Sequence, residues 1–189
     1  HYPSIAQYRD VESLNYYQIL LDNGKTKEEA LKVLAARSRD NSRTPMQWTG
    51  EVYGGFSKAE PWLPMSAEFR KEITVEAQEK DRDSILSFYK KLVAMRKRHP
   101  VIAEGEISFL ETGTDMALAY KRALGEQQIV VLCNLDRKKQ SIKTDRKWAG
   151  YKILLENYPL SDEVWERALK EEIYTMEPYE FLAFGNADD

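Results

Sequence analysis

The sequence predicts an α+β chain, helical in its first part and a small antiparallel β-sandwich in its last. Apolar residues recur near the 3.6-residue helical period up to His99-Pro100, and beyond residue 104 they alternate or fall in short runs bounded by turn residues. Between the helical segments lie residues 41–72, a stretch with neither period. It holds Pro45, Pro61 and Pro64, Gly50, Gly54 and Gly55, and the aromatics Trp48, Phe56, Trp62 and Phe69. A loop this long and aromatic is unusual in a compact domain and is commonly functional.

The helices have local signatures. Asp10 to Asn23 places Val11, Leu14, Tyr17, Leu20 and Leu21 on one face, and Gly24 suits the left-handed residue that ends a helix. Thr26 and Glu29 have capping-box spacing and open a second helix, expected to bury Leu31, Leu34 and Ala35 and to fade near Ser38. Ser84 caps a third, with Ile85, Phe88, Tyr89, Leu92 and Met95 expected inward. His99-Pro100 ends it, because the residue before a proline avoids helical geometry.

The strand signals follow. Residues 106–110, 116–122, 128–134, 140–143, 151–155 and 180–184 read as strands, with turns at Thr112-Gly113-Thr114 and Leu124-Gly125-Glu126. Six or seven short strands at this spacing suggest an antiparallel sandwich. Ser161 to Lys170 reads equally as a short helix or an insertion loop.

Composition narrows the function classes. Among 189 residues, 28 Lys and Arg against 31 Asp and Glu leave a net charge of -3, which gives no reason to expect a nucleic-acid partner. No apolar run approaches the ~18 residues of a membrane span. One cysteine and two histidines argue against a disulfide framework and a zinc cluster, so no metal and no cofactor are expected. The first residues lack the layout of a signal peptide and lack Met, which suggests a reduced, cytoplasmic protein whose chain starts inside a longer one. Lys90-Lys91 and Arg96-Lys97-Arg98 read as a solvated helix face, Glu28-Glu29 and Glu171-Glu172 as solvated helix ends or loops, and Cys133 as an inert thiol mid-strand.

The most informative segment is Ser38-Arg39-Asp40-Asn41-Ser42-Arg43-Thr44-Pro45-Met46-Gln47-Trp48. Arginine offers five fixed donors and keeps its charge, which suits a buried carboxylate or sugar hydroxyls. Tryptophan offers a flat apolar face and one N–H. Composition alone also allows a buried ion pair that merely holds a loop.

This segment resembles the Arg-Asp-Asn-(Ala/Ser)-Arg-Thr-Pro-Met-Gln-Trp signature of family 13 glycoside hydrolases, the α-amylase family, in its oligo-1,6-glucosidase and trehalose-6-phosphate hydrolase branch. Similar stretches run through the chain: residues 8–15 (Tyr-Arg-Asp-Val-Glu-Ser-Leu-Asn), Gly55-Phe56, Pro61-Trp62, residues 72–78, Asp83-Ser84-Ile85 and residues 92–97. Thr74, where the family more often has Asn, and Ser66-Ala67-Glu68-Phe69 depart from its pattern.

The resemblance implies that residues 1–104 are the C-terminal part of a (β/α)8 TIM-barrel catalytic domain, its last helices and an active-site loop. Residues 105–189 would then be the C-terminal β-sandwich domain. It implies retaining hydrolysis of short α-glucosides by two carboxyl groups. The family's catalytic carboxylates lie N-terminal to the stretch matching residue 1, so this chain is expected to hold no catalytic residue and to be inactive alone. By resemblance Arg43 is the substrate-binding arginine, paired with an upstream aspartate, while Arg39, Asp40, Gln47 and Trp48 form pocket wall or loop support. The implied partners are a small carbohydrate and, over the helices, the N-terminal barrel portion or a second chain, with no nucleic acid and no membrane. A non-catalytic sugar-binding or interaction module of the same fold is the alternative, as is a relative of the amino-acid transporter heavy chains.

Overall fold

The computed structural model describes residues 2–65 and 73–186. The chain divides between Ser87 and Phe88 into two compact units.

The first unit is helical. Helix α1 (Val11–Asp22) starts at Asp10, whose carboxylate accepts from the Ser13 N–H, and ends before Gly24 at φ +80°. Helix α2 (Lys27–Arg37) carries the full capping box, with Thr26 and Glu29 each bonding the other's backbone N–H. Their small core joins Tyr2, Tyr8, Tyr17, Ala30, Leu34 and Leu63. Ala30 is fully buried, while Leu31 and Ala35, expected inside, are half-buried. A short helix α3 (Val75–Lys80), capped by Thr74, carries no periodic signal because it is less than two turns long.

The loop after α2 tightens into a 3-10 turn, Arg39–Ser42, and a second turn, Val52–Gly55. Gly54 sits at φ +64°, and a Cβ there would lie 3.0 Å from Met65 Cε and 3.3 Å from the Gln47 Cα. The backbone therefore needs glycine at that point. Phe69, Ser66-Ala67-Glu68-Phe69 and Glu72 lie outside the described residues.

Helix α4 (Ile85–Arg98), most of which lies in the second unit, is split from α5 (Pro100–Glu104) at His99-Pro100, where the sequence places the helix end. One expectation fails here: Ile85 and Tyr89 are 84% and 63% exposed. The helix has two apolar stripes, and the one turned to the sheet carries Phe88, Leu92 and Met95, with Phe88 edge-on to Phe181 at 5.9 Å. Ile85, Tyr89 and Val93 recur every fourth residue on the other.

Among the described residues seven strands follow: β1 (Glu106–Phe109), β2 (Ala117–Leu124), β3 (Gln127–Asn134), β4 (Gln140–Lys143), β5 (Lys152–Glu156), β6 (Ile173–Met176) and β7 (Phe181–Gly185). Five form an antiparallel sheet in the order β1-β2-β3-β7-β5, and β4 pairs with β6 in a second. Central β3 is buried on both faces. Val130 and Leu132 point to a core shared with Ile142, Tyr174, Met176, Leu182 and Phe184. Ile129 and Val131 point to the opposite side with Val101 and Ala183. Each such side chain stabilises by about 1.5–3 kcal/mol relative to exposure.

The ambiguous stretch is helix α6 (Asp162–Glu171), capped by Ser161 and ended by Glu172 in the left-handed region. It buries Trp165, Ala168 and Leu169, and with β4 and β6 forms the second layer of the sandwich. Arg122 ties α5 to the sheet by donating to the carbonyls of Val101, Ala103 and Gly105 at 3.3, 3.3 and 2.6 Å. Cys133 is half-buried on β3, and burial pushes its thiol pKa up, which keeps it protonated.

Candidate functional site

Three residues singled out from sequence share one turn. Asp40 is wholly buried; its Oδ2 accepts from the backbone N–H groups of Arg9 (2.6 Å) and Asp10 (2.9 Å), just before α1. Its Oδ1 is buried and has no hydrogen-bond donor among the described residues. The Arg43 guanidinium lies 3.9 Å from that oxygen, an ion-pair distance too long for a hydrogen bond. The Arg43 side chain is 45% exposed. Arg39 turns the other way and pairs with Glu12 at 2.7 Å, both exposed.

Asp40 belongs to a larger polar cluster that the sequence does not disclose. The Ser13 hydroxyl donates to Asp10 Oδ2 at 2.7 Å and lies 2.8 Å from the Ser38 hydroxyl. Ser38 accepts from the Asp40 N–H at 3.2 Å. Asp10, Ser13, Ser38 and Asp40 are all buried, so the start of α1 and the end of α2 are held by bonded polar groups. The local signal for part of it is Asp10 three residues before Ser13; the link to residues 38–40 is long-range.

Gln47 and Trp48 act first through their backbones. Their carbonyls accept from the N–H groups of Val75 (2.9 Å) and Glu76 (3.0 Å), satisfying two donors in the first turn of α3. The Trp48 N–H donates to the Gly54 carbonyl at 2.8 Å. The Trp48 side chain is 49% exposed and that of Gln47 is half-buried. Pro61 and Trp62, with Gln7, Arg9, Glu60 and Pro64, line a polar cleft of about 330 Å³. Arg9 is fixed there by donating to the Ala6 and Tyr8 carbonyls at 2.6 and 3.1 Å. Among the described residues no group of His, Cys, Asp and Glu is arranged to hold a metal ion. Among them, too, no helix is long and apolar enough to cross a membrane.

Electrostatics within the cluster favour charge on Asp10. The Ser13 hydroxyl holds its pKa below the usual carboxylate range, burial opposes this, and the Ser13 N–H and the charges of Arg39 and Arg43 add to the lowering. A carboxyl whose folded pKa is depressed stabilises the fold above its unfolded value of about 3.9, and that stability is lost as the pH falls through the folded value. Asp10→Asn keeps the capping oxygen and removes this titration. Melting temperatures followed from neutral pH into acid should therefore fall less steeply for the variant, and superimposable profiles would remove Asp10 from the acid response.

The chain as a whole has known relatives. Residues 6–105, more than half of the chain, match the alpha-amylase catalytic domain. Trehalose-6-phosphate hydrolase of Escherichia coli is 35% identical over 158 residues, covering 84% of this chain and 28% of that protein. Oligo-1,6-glucosidase of Bacillus cereus is 30% identical over 186 residues, covering 97% of this chain and 32% of that one. The crystal structure of trehalose-6-phosphate hydrolase from Bacillus licheniformis superimposes with a TM-score of 0.82 at 35% identity, over 97% of this chain and 33% of that one. The chain thus spans about a third of the length of these relatives. On the strength of the catalytic-domain match and these relatives, the chain belongs to the alpha-amylase family of glycoside hydrolases.

Proposed function

We propose that the chain is the C-terminal segment of a retaining α-glucosidase acting on short α-glucosides, either trehalose 6-phosphate or isomalto-oligosaccharides. The names of its relatives support this substrate class. The observation that carries the reading is Arg43. Its guanidinium is half-exposed beside a buried carboxylate whose oxygen at 3.9 Å does not bond it, so its donors remain available to another acid and to sugar hydroxyls.

In this reading Arg43 pairs with an aspartate of the upstream barrel and holds the terminal glucose. Asp40 and Arg39 hold the loop, and Gln47 and Trp48 anchor it to α3. The two carboxyl groups of a retaining mechanism, nucleophile and acid/base, belong to the upstream barrel, where a covalent glucosyl intermediate forms and is hydrolysed. Residues 1–104 are then the end of that barrel and 105–189 the C-terminal sandwich. The catalytic-domain match ending at residue 105 supports this boundary. The division at Ser87 reflects where the helices pack, since α5 and half of α4 share a core with the strands.

The exposed apolar residues of α1 agree with a covering partner. Val11 is 68% exposed, and Ile19 and Leu14 are also exposed. The upstream barrel is the proposed cover, and a second chain the other occupant that mass measurement would reveal.

The purified 189-residue chain should give no enzyme-grade turnover of p-nitrophenyl α-glucoside, isomaltose or trehalose 6-phosphate. The native protein containing it should hydrolyse at least one. Turnover by the isolated chain would overturn the segment reading. An inactive native protein would favour the non-catalytic sugar-binding module instead.

A further inference from the structure

We propose that the second unit carries a binding cleft of its own for a neutral oligosaccharide, between α6 and the segment leading into β5. The cleft has a volume of about 650 Å³, the size of a small-molecule site, and its walls include Arg146, Tyr151, Asp162, Trp165, Glu166 and Lys170.

The floor is aromatic and rigid. The Trp165 ring meets Phe184 at 4.7 Å and Tyr174 at 5.8 Å, and Tyr151 packs on Phe184 while its hydroxyl donates to Gln128 Oε1 at 3.2 Å. A floor already held in place loses little freedom when a ligand arrives. Trp165 is buried, and its indole N–H has no acceptor among the described residues. That N–H is closed to solvent, so a ligand in the cleft meets the Trp165 ring and not its donor.

Charge decides the ligand class. The walls carry two cations and two carboxylates, and Arg146 is further offset by Glu172 at 3.3 Å. An anionic ligand meets Asp162 and Glu166, and a cationic one meets Lys170 and Arg146. Sugar hydroxyls donate to carboxylates and accept from cations at the same time, so a neutral polyhydroxylated ligand satisfies both sets. The choice of glucose units rests on the proposed function, whereas the preference for a neutral ligand rests on the cleft.

The test titrates isomaltotriose into the intact 189-residue chain and follows backbone amide and indole signals by NMR. Saturable shifts are expected at Tyr151, Trp165, Glu166 and Lys170, with clearly weaker effects from trehalose 6-phosphate. Ala149 is exposed on the cleft wall, so Ala149→Trp should fill the space without disturbing the fold. That variant and Glu166→Ala, also at an exposed position, should each weaken binding by roughly tenfold or more, a factor equal to about 1.4 kcal/mol. Absence of saturable shifts, shifts indifferent to Ala149→Trp, or tighter binding of the phosphorylated sugar would each overturn the proposal. None of these outcomes bears on hydrolysis by the native protein, which turnover measures separately.

Discussion

Arg43→Lys in the complete enzyme is expected to lower kcat/KM by roughly thirtyfold or more, with little change in melting temperature. Lysine keeps the charge but replaces a planar fork of five donors by a single ammonium, so bidentate pairing with a carboxylate and simultaneous contact with sugar hydroxyls are lost. Removing charge-assisted bonds at a buried site costs about 2–5 kcal/mol, part of it from stranding the partner acid, and about 1.4 kcal/mol is tenfold in rate. Stability should change little, because the Arg43 side chain is 45% exposed and its distance to Asp40 exceeds hydrogen-bond length. A loop-holding Arg43 predicts the reverse pattern. Near-normal kcat/KM with a lowered melting temperature would take Arg43 out of the substrate pocket.

Features set by near neighbours are legible in the sequence. The capping box at Thr26 and Glu29, the left-handed Gly24 and the break at His99-Pro100 each depend on residues within a few positions, and each is present in the fold. The strands of the main sheet are also legible, to within a residue or two, because each is a short alternating or apolar run set off by turn residues. What escapes depends on distant partners. Strand β6 is four residues long and acquires its identity only by pairing with β4, some thirty residues earlier. Helix α6 is ambiguous in sequence because a ten-residue charged stretch with Trp165, Ala168 and Leu169 becomes a helix only where a sheet covers that stripe. On α4 the two apolar stripes are equivalent in sequence, and the sheet selects Phe88, Leu92 and Met95 over Ile85 and Tyr89. The candidate site divides in the same way. Arg39, Asp40 and Arg43 are visible as a motif, yet the bonds from Asp40 to the backbone of residues 9 and 10 span thirty positions and carry no local signature.

Those bonds make Asp40→Ala the substitution with the largest expected cost to stability. Alanine leaves the Asp10 N–H buried and the Arg9 N–H partly buried, both without an acceptor, and a buried donor left unmade costs about 1–3 kcal/mol. The same change removes an unpaired buried oxygen, Oδ1, which returns part of that penalty. It also removes a negative charge just ahead of α1, where the helix N-terminus favours one, worth about 0.3–1 kcal/mol. The net loss should be about 2–4 kcal/mol, large against the 5–15 kcal/mol that separates most folded domains from their unfolded chains. Asp40→Asn separates the terms, because its amide oxygen can still accept both N–H groups while the charge is gone. It should lose only about 1 kcal/mol, a size set by the charge rather than by the hydrogen bonds. Urea denaturation followed by helical circular dichroism measures both variants. If Asp40→Ala unfolds at the same urea concentration as the parent, the carboxylate does not hold the start of α1. If Asp40→Asn is as damaged as Asp40→Ala, the interaction is one of charge with Arg43 and the helix end, not of hydrogen bonds to residues 9 and 10.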